Sequence, residues 1–203
     1  MSDGEFNENW FKVLNRKLVV MVDIDDCLMP WAEQVHLKCI EAGLAKPGST
    51  WTQWGMYEDY GCTKEQWLEV VNAQVVHGGI YHSPPYPGAI EALRKLEAAG
   101  AEIHLVTARG FFAFAEEIRG WTHDWVETFN VPGQLSFFHH KEVKAREIGA
   151  THAIDDGIHN AIALLNEGVD VYLMNQPHNL AEEFDPYRRV DSVSEFVERI
   201  LNG

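Results

Sequence analysis

Apolar runs that end in acidic or polar residues recur along the chain and predict buried strands. The first run, residues 18–22, reads Leu-Val-Val-Met-Val and leads directly into Asp23-Ile24-Asp25-Asp26. Short uninterrupted runs rich in β-branched residues are typical of strands that are buried on both faces of a parallel sheet. Three later segments with the same pattern predict further strands at residues 103–106, 152–154 and 169–173.

Helical patterns separate these predicted strands. In residues 89–99, Ile90, Leu93 and Leu96 share one helical face, and Gly100 favours the end of the helix. Further helices are predicted at residues 112–129, 158–166 and 192–201. Alternating strands and helices predict an α/β fold with a Rossmann-like parallel sheet and flanking helices. In such sheets, ligands bind beyond the carboxyl ends of the strands.

Between residues 30 and 84 the pattern changes, and no strand is predicted. Residues 31–42 predict one helix, and Thr63 with Gln66 resembles a capping box that begins a second helix. The segment is rich in aromatic residues, which include Trp51, Trp54 and Tyr57. We therefore expect a small helical insertion after the first strand. The chain would then divide into an α/β core of residues 1–29 and 85–203 and an inserted domain of residues 30–84.

The acidic composition narrows the classes of partner. The chain of 203 residues carries 16 Lys and Arg against 31 Asp and Glu, which gives a formal net charge of −15. This excess of negative charge argues against binding to nucleic acid polymers or to anionic membranes, which need a basic surface. An anionic substrate would also need a metal ion or local cations to offset the repulsion.

The cysteines and the apolar runs indicate the cellular compartment in which we expect the protein. Cys27, Cys39 and Cys62 form no CxxC pair, so we expect free thiols in a reducing cytoplasm. No apolar run is long enough to cross a bilayer, and the first residues lack the pattern of a secretory signal. A cytoplasmic location is therefore expected. The oligomeric state stays open, with a homodimer as one option.

Two acidic pairs follow two separate predicted strands. Asp23 and Asp25 come after the first strand, and Asp155 and Asp156 come after residues 152–154. Clustered carboxylates repel one another unless a cation compensates them, and oxygen ligands suit a hard ion such as Mg²⁺. A single Asp-x-Asp is more often a solvated turn. Two acidic pairs at the ends of two buried strands instead predict a magnesium site.

Candidate groups for phosphoryl transfer lie along the same part of the chain. This chemistry needs a nucleophile, a proton donor, and cationic or hydrogen-bonding groups around the phosphoryl oxygens. Asp23 can attack phosphorus, and Asp25 can reach the leaving oxygen. Thr107 offers a hydroxyl, and Lys144 offers a fixed positive charge. Lys141 is the alternative for this last position, but we favour Lys144.

These residues, taken in order, resemble the four motifs of the haloacid dehalogenase superfamily of aspartyl-phosphate phosphatases. The matching positions are Asp23-Ile24-Asp25, Thr107, Lys144 and Asp155-Asp156. The resemblance implies that Asp23 is a covalent nucleophile and that Asp25 protonates the leaving group and then activates water. Thr107 and Lys144 would hold the phosphoryl group.

The same resemblance implies how a magnesium ion is held. Asp23, the backbone carbonyl of Asp25 and Asp156 would bind Mg²⁺, and Asp155 would bind it through water. An insertion after the first motif is the place where this family carries a cap domain over the active site. The chain departs from the family at Cys27, where Thr or Val is usual.

A looser similarity concerns the substrate. The segments Thr107-Ala108-Arg109, Ala153-Ile154-Asp155-Asp156 and Met174-Asn175-Gln176-Pro177-His178-Asn179 are similar to the 5'(3')-deoxyribonucleotidase branch. This similarity implies a nucleoside monophosphate as substrate, with Ala108 and Arg109 beside it. Arg109 could instead be an ordinary residue at a helix start.

The aromatic residues of the insertion allow two interpretations. Trp51, Trp54 and Tyr57 could stack on a nucleobase, or they could form the insertion's own core. Three classes of function therefore remain open. The leading class is a phosphatase for a nucleotide or another small phosphorylated metabolite such as a sugar phosphate. The others are a nucleotide-sugar glycosyltransferase and a non-catalytic binding protein with the same fold.

Overall fold

A parallel sheet forms the centre of the protein. The computed structural model describes residues 17–111 and 113–202, so residues 1–16 of the predicted core, together with Phe112 and Gly203, lie outside the described residues. All pairings in the sheet are parallel, and the strand order is β3-β2-β1-β4-β5-β6. The strands are β1 (Val19–Val22), β2 (Glu102–Thr107), β3 (Gln134–Phe137), β4 (His152–Asp155), β5 (Asp170–Met174) and β6 (Arg189–Val190). The predicted α/β class is confirmed.

The helices alternate with the strands outside the inserted segment. They are α1 (Trp31–Glu41), α2 (Tyr57–Tyr60), α3 (Lys64–Ala73), α4 (Ala89–Ala98), α5 (Ala115–Thr128), α6 (Lys141–Ile148), α7 (Ile158–Asn166) and α8 (Val193–Asn202). Short 3-10 helices lie at Ile80–His82 and Pro186–Arg188. Each predicted helix and strand is found within a few residues of its expected position.

Four of these helices and strands were not predicted from the sequence, namely β3, β6, α6 and the one-turn helix α2. Strand β3 is an edge strand without a fully buried residue, so it lacks the continuous apolar run of the other strands. Strand β6 has only two residues, too few to form a recognisable apolar run. Helix α6 is strongly polar, with only Lys141 and Ala145 buried, so its apolar face is too small to be recognised.

Strand β1 lies in the middle of the sheet and positions the acidic residues that follow it. Its Val22 pairs with Leu105 of β2 on one side and with Ile154 of β4 on the other. Because β1 has neighbours from later parts of the chain on both sides, its carboxyl end is the point where the strand order reverses. Ligand sites of open parallel sheets occur at such points.

Helices cover both faces of the sheet. Val20 and Val22 share a buried cluster with Leu93 of α4, Trp125 of α5 and Phe196 of α8. Met21, which points the other way, belongs to a second cluster with residues of α6 and α7. Alternate residues of β1 are therefore buried on opposite faces, which explains its uninterrupted apolar sequence.

The segment between β1 and α4 is helical and has a buried cluster of its own. Within residues 30–84 no strand is present, as predicted. The Thr63 hydroxyl accepts from the backbone N–H of Gln66, and the Gln66 side chain accepts from the backbone N–H of Thr63, so the predicted capping box is confirmed. Trp121 of α5 is partly buried and packs against this cluster, which joins the segment to the core. Across the described ranges 17–111 and 113–202, no helix is both long and apolar enough to cross a membrane.

Candidate active site

Lys141 and Asp23 form a buried ion pair at the carboxyl end of β1. The Lys141 ammonium lies 2.7 Å from Asp23 Oδ1 and 2.6 Å from Asp155 Oδ2. The side chains of the three residues are between 1% and 8% exposed. Burial lowers the pKa of Lys141, but the charges of Asp155 and Asp23 outweigh this effect and raise the pKa above its ordinary value. Lys141 is therefore charged and bridges the ends of β1 and β4.

The structure places Lys141 at this position and directs Lys144, which we favoured from the sequence, elsewhere. Lys144 lies almost one helical turn after Lys141 on α6, and its ammonium contacts Glu147 at 3.2 Å. The same ammonium lies 5.1 Å from the centre of the Phe138 ring. Residues three apart on a helix point in directions that differ by about 60°. Lys141, the first residue of α6, therefore reaches the strand ends, whereas Lys144 pairs with Glu147 on the same helix.

Asp155 holds Lys141 and the start of α7. Its Oδ2 accepts from Lys141, and its Oδ1 accepts from the Gly157 backbone N–H and the Asn160 side-chain amide, each at 2.9 Å. Both oxygens are thus already used by donors of the protein. This geometry does not favour the predicted contact of Asp155 with a metal ion through water.

Asp156 is buried beside His178. Its Oδ2 lies 3.0 Å from the Nε2 atom of His178. Burial and the neighbouring Asp155 raise the pKa of Asp156 to about 8. Burial also raises the pKa of Asp23 well above its ordinary value, although Lys141 opposes this shift. A cation would remove the repulsion that these shifts reflect.

The donors around Asp156 suit a divalent cation. Ligand atoms of Asp23, Cys27 and Asp156 lie within 4.8 Å of one another. Burial raises the pKa of the Cys27 thiol well above its ordinary value, so it is held as a neutral thiol. The two carboxylates are therefore the ligands on offer, and oxygen donors are those that Mg²⁺ prefers. The residues present fit the predicted magnesium site.

Asp25 is held by Arg109. Arg109 Nε lies 3.1 Å and 2.9 Å from the two carboxylate oxygens of Asp25, and a terminal guanidinium nitrogen lies 2.5 Å from Oδ1. The guanidinium also donates to the Thr122 hydroxyl and lies 5.2 Å from the centre of the Tyr81 ring. Burial lowers the pKa of Arg109, but Asp25 more than compensates and raises it.

This arrangement changes the interpretation of Arg109. The residue lies six positions before α5 begins at Ala115, so it is not a helix-start residue. Its charge is directed at Asp25, which explains how a buried guanidinium is tolerated in an otherwise apolar surrounding. A bidentate arginine–carboxylate pair fixes the orientation of both side chains.

Thr107 ends β2, the strand that pairs with β1. Its side chain is buried, and its hydroxyl accepts from the Arg109 backbone N–H at 3.2 Å. Ala108 lies half-buried between them. The predicted residues Asp23, Asp25, Thr107, Arg109 and Asp156 thus follow strands β1, β2 and β4, which are adjacent in the sheet.

Asp26 ties the inserted segment to this site. Its Oδ1 accepts from the Ala32 backbone N–H at 2.8 Å, in the first turn of α1. Its backbone has a φ of 55°, a left-handed conformation that is uncommon for residues other than glycine. Gln176 donates to the Asp26 backbone carbonyl at 2.6 Å and to the Tyr86 hydroxyl at 3.2 Å. The loop after β5 therefore supports both chain connections of the insertion.

The three predicted stacking residues have different surroundings. The Trp51 ring lies 4.9 Å from the His36 ring, and the Tyr57 ring lies 6.0 Å from the Trp67 ring, so both pack within the inserted segment. Trp54 is 59% exposed and directs its ring edge-on at His178, with 4.7 Å between ring centres. Of the three, Trp54 contacts the core next to Asp156.

A cleft of about 420 Å³ opens between the inserted segment and the core. Its lining includes the aromatic rings of Trp51 and Tyr86, the amides of Asn175 and Gln176, and the carboxylates of Glu33 and Asp191. Asp23, Asp25 and Asp156 do not line it. The cleft is connected to the site through Gln176, which contacts the Asp26 carbonyl.

The sequence did not predict that His178 lies in the site. From the sequence it is only one residue of the segment 174–179 that is similar to the deoxyribonucleotidase branch. Its Nε2 lies 3.0 Å from Asp156 Oδ2, and burial lowers its pKa below the ordinary value. No sequence pattern marks this histidine, because it comes from the irregular loop after β5. Only the fold brings it beside the residues that follow β4.

Comparisons with known proteins identify the fold. A scan against protein-family models found no match, and a comparison with curated protein sequences also found none. Among solved structures, a haloacid dehalogenase-like hydrolase from Streptococcus pneumoniae matches with a TM-score of 0.61 and 14% identity, over 91% of this chain and 98% of that one.

Two further structures match over comparable lengths. The D,D-heptose 1,7-bisphosphate phosphatase from Burkholderia thailandensis gives a TM-score of 0.56 at 15% identity, over 92% of this chain and 100% of that one. The corresponding enzyme from B. bronchiseptica, in complex with magnesium and phosphate, gives a TM-score of 0.51 at 15% identity. This match covers 91% of this chain and 98% of that one. The chain therefore has the fold of the haloacid dehalogenase-like hydrolases.

Proposed function

We propose that this protein is a magnesium-dependent phosphomonoesterase that uses Asp23 as a covalent nucleophile. The observation that carries the proposal is the buried Lys141 bridge between Asp23 and Asp155, beside the Arg109-bound carboxylate of Asp25. A cation between two carboxylates at the reversal point of the sheet is suited to hold a phosphoryl group next to a nucleophile.

In the first step, a carboxylate oxygen of Asp23 attacks phosphorus. A bond forms between Asp23 and phosphorus while the bond to the leaving oxygen breaks. Asp25 enters this step in its protonated form and donates that proton to the leaving oxygen. Lys141 and the Thr107 hydroxyl are the groups available for the phosphoryl oxygens, because both are buried at the strand ends beside Asp23. The product is an aspartyl phosphate on Asp23.

In the second step, water attacks the phosphorus of this intermediate. Asp25 accepts a proton from that water, the bond between Asp23 and phosphorus breaks, and phosphate leaves. Arg109 serves as a positioning residue, because its bidentate contact fixes the Asp25 carboxylate for both proton transfers. Together, the two steps return Asp23 to a free carboxylate and Asp25 to its protonated form.

Asp23 and Asp156 would hold the magnesium ion. The fit rests on the ligand atoms of Asp23 and Asp156, which lie within 4.8 Å of each other, and on the raised pKa values of both carboxyls. When bound, the ion supplies positive charge that offsets the carboxylates and the phosphoryl oxygens. This positive charge would also offset the repulsion between an anionic substrate and a chain with a net charge of −15.

We propose nucleoside monophosphates as the substrate class. The insertion would act as a cap, with Trp54 near Asp156 and with Trp51 and Tyr86 on the walls of the adjoining cleft. Aromatic faces suit a base, and the amides of Asn175 and Gln176 suit its polar edge. Sugar phosphates are the second candidate, since two structures with the same fold are heptose bisphosphate phosphatases.

Phosphate release from a panel of substrates tests the proposal. The panel contains ribo- and deoxyribonucleoside monophosphates, sugar phosphates and a generic aryl phosphate, each with magnesium and with EDTA. We expect magnesium-dependent release with a preference for nucleotides. A preference for sugar phosphates would keep the mechanism and replace the substrate class. No release from any of these compounds would overturn the proposed activity and favour a binding protein with this fold.

A further inference from the structure

Arg119 of α5 carries a positive charge that no carboxylate of the described residues pairs with. Its guanidinium donates one hydrogen bond, to the Gly110 carbonyl at 3.1 Å. Four other arginines each form an ion pair with an acidic side chain, namely Arg109, Arg146, Arg188 and Arg199. The chain has 31 acidic residues against 16 Lys and Arg, so an arginine that meets no carboxylate requires an explanation.

Two more arginines form no ion pair within the described part of the chain, and both differ from Arg119. Arg189 donates four hydrogen bonds to oxygen atoms of the loop after β5, so most of its donors are used. Arg94 donates to the carbonyl of Asn130, which precedes β3 and lies at the amino edge of the sheet. Arg119, in contrast, combines unused donors with a place at the carboxyl edge, where the proposed active site lies.

Aromatic rings hold the Arg119 side chain in place. The guanidinium lies 5.5 Å from the centre of the Phe111 ring and 5.2 Å from that of the Phe137 ring. Gly110 allows this close approach, because a Cβ atom at Gly110 would lie only 2.7 Å from Cγ of Arg119. A guanidinium that packs on aromatic faces keeps its N–H groups free at its edge and loses little freedom when it binds an anion.

The same contacts place Arg119 beside the proposed phosphoryl site. Phe137 pairs with Thr107 in the sheet, and adjacent strands are about 4.8 Å apart. Gly110 directly follows Arg109, the residue that orients Asp25. The free guanidinium edge therefore belongs to the residues that surround the strand ends, on the side of β3.

The two sides of the site differ in charge. The cleft on the side of β5 is lined by the carboxylates of Glu33 and Asp191, and none of the described residues that line it is basic. Arg119 lies on the side of β3, and Asp23 follows the central strand β1 between the two. A further negative group of the substrate would be repelled by the cleft and attracted by Arg119.

We propose that Arg119 binds a second phosphate group of the substrate, so that the preferred substrate is a nucleoside bisphosphate. This inference rests on the proposed function, which places the phosphate that is cleaved at Asp23 and the base in the cleft. A planar guanidinium presents paired N–H donors that match the oxygens of a phosphate. Arg119 is a binding residue in this arrangement and does not contact the reacting atoms.

The test compares a nucleoside 3',5'-bisphosphate with the corresponding 5'-monophosphate, both with magnesium. We expect kcat/KM of the unmodified protein to be at least about tenfold higher for the bisphosphate, mainly through a lower KM. Arg119→Met should bring the two values close to equality, and Arg119→Lys should retain part of the preference because it keeps the charge. Arg94→Met is the matched control and should retain all of it.

Calorimetric titration of the Asp23→Asn protein gives a readout that does not depend on turnover. We expect the bisphosphate to bind more tightly than the monophosphate by a similar factor, and Arg119→Met in this background to remove the difference. Phosphate release without a preference for the bisphosphate would overturn the role of Arg119 and leave the proposed function standing. A preference that Arg119→Met retains would overturn it as well. If neither compound releases phosphate, the proposed activity is overturned, and the calorimetric comparison still decides whether Arg119 binds the second phosphate.

Discussion

Lys141 Nζ lies 2.7 Å from Asp23 Oδ1, and both side chains are almost completely buried. The two residues are far apart in sequence, and an unpredicted helix, α6, begins at the lysine. Because the same ammonium also contacts Asp155, one cation compensates two carboxylates at the end of the sheet. This relationship identifies the lysine on which the proposed chemistry depends.

Replacing Lys141 should disable the site, whereas replacing Lys144 should not. Lys141→Met removes the cation beside Asp23, and we expect phosphate release to fall by about 10² to 10³-fold. It also leaves Asp23 and Asp155 without the cation that pairs with them, so we expect the free energy of unfolding of the metal-free protein to fall by about 3–5 kcal/mol. Steady-state kinetics and chemical denaturation check these values. Lys144→Met is the control, and a larger loss of activity in this variant would contradict the assignment.

Asp23→Asn should abolish turnover without unfolding the protein. The amide keeps the volume of the carboxylate but cannot form the acyl phosphate, so we expect a loss on the order of 10⁵-fold. Burial raises the pKa of Asp23, which means that its charged form is held at a cost. The metal-free variant should therefore be at least as thermostable as the unmodified protein by calorimetry. Near-normal turnover would disprove the covalent mechanism.

The stability of the metal-free protein should fall as pH rises. Burial raises the pKa of Asp156 to about 8, whereas in the unfolded chain it is about 3.9. At pH values between these two pKa values, the folded state binds more protons than the unfolded state. The free energy of unfolding therefore decreases as pH rises, by at most about 1.4 kcal/mol per pH unit for one proton. Thermal denaturation between about pH 5 and pH 8 measures this slope.

Asp156→Asn provides the comparison for this slope. The amide does not titrate, so we expect a flatter pH dependence than in the unmodified protein. Added Mg²⁺ should raise Tm most at high pH in the unmodified protein, because it binds the ionised carboxylate. Equal slopes in the two metal-free proteins would show that Asp156 has an ordinary pKa.

Arg109→Lys should lower kcat more than it raises KM. Lysine keeps the positive charge but cannot form the bidentate contact that orients Asp25, so we expect kcat to fall by roughly tenfold to 100-fold. A raised KM with unchanged kcat would instead support the sequence-based view that Arg109 contacts the substrate. Arg146→Lys is the control, because Arg146 pairs with Glu167 at the surface.

Trp54 and Tyr57 should respond differently to truncation. Trp54→Ala removes an exposed ring beside His178, so we expect a raised KM for nucleotides with little change in Tm. Tyr57→Ala removes a ring packed on Trp67, so we expect mainly a lower Tm. Calorimetry and a nucleotide KM series separate the two effects. A lower Tm for Trp54→Ala alone would contradict the assignment of Trp54 to the site.

The sequence by itself determined the architecture and the place of most candidate site residues in it. Apolar strands that are buried on both faces have a pattern that is local in sequence; Asp23 directly follows such a strand, and Thr107 and Asp155 end two others. The rule that parallel strands present their carboxyl ends at one edge then brings these residues together. The capping box of α3 is equally local, because both of its contacts join Thr63 and Gln66.

Only the tertiary structure decided between the two lysines and assigned Arg109 to Asp25. The choice between Lys141 and Lys144 depends on where a polar helix begins after an edge strand, and neither element has a strong apolar pattern. The contact between Arg109 and Asp25 spans 84 positions, and that between Gln176 and Asp26 spans 150. Long-range contacts between loops carry no periodicity, so packing alone places His178 beside Asp156.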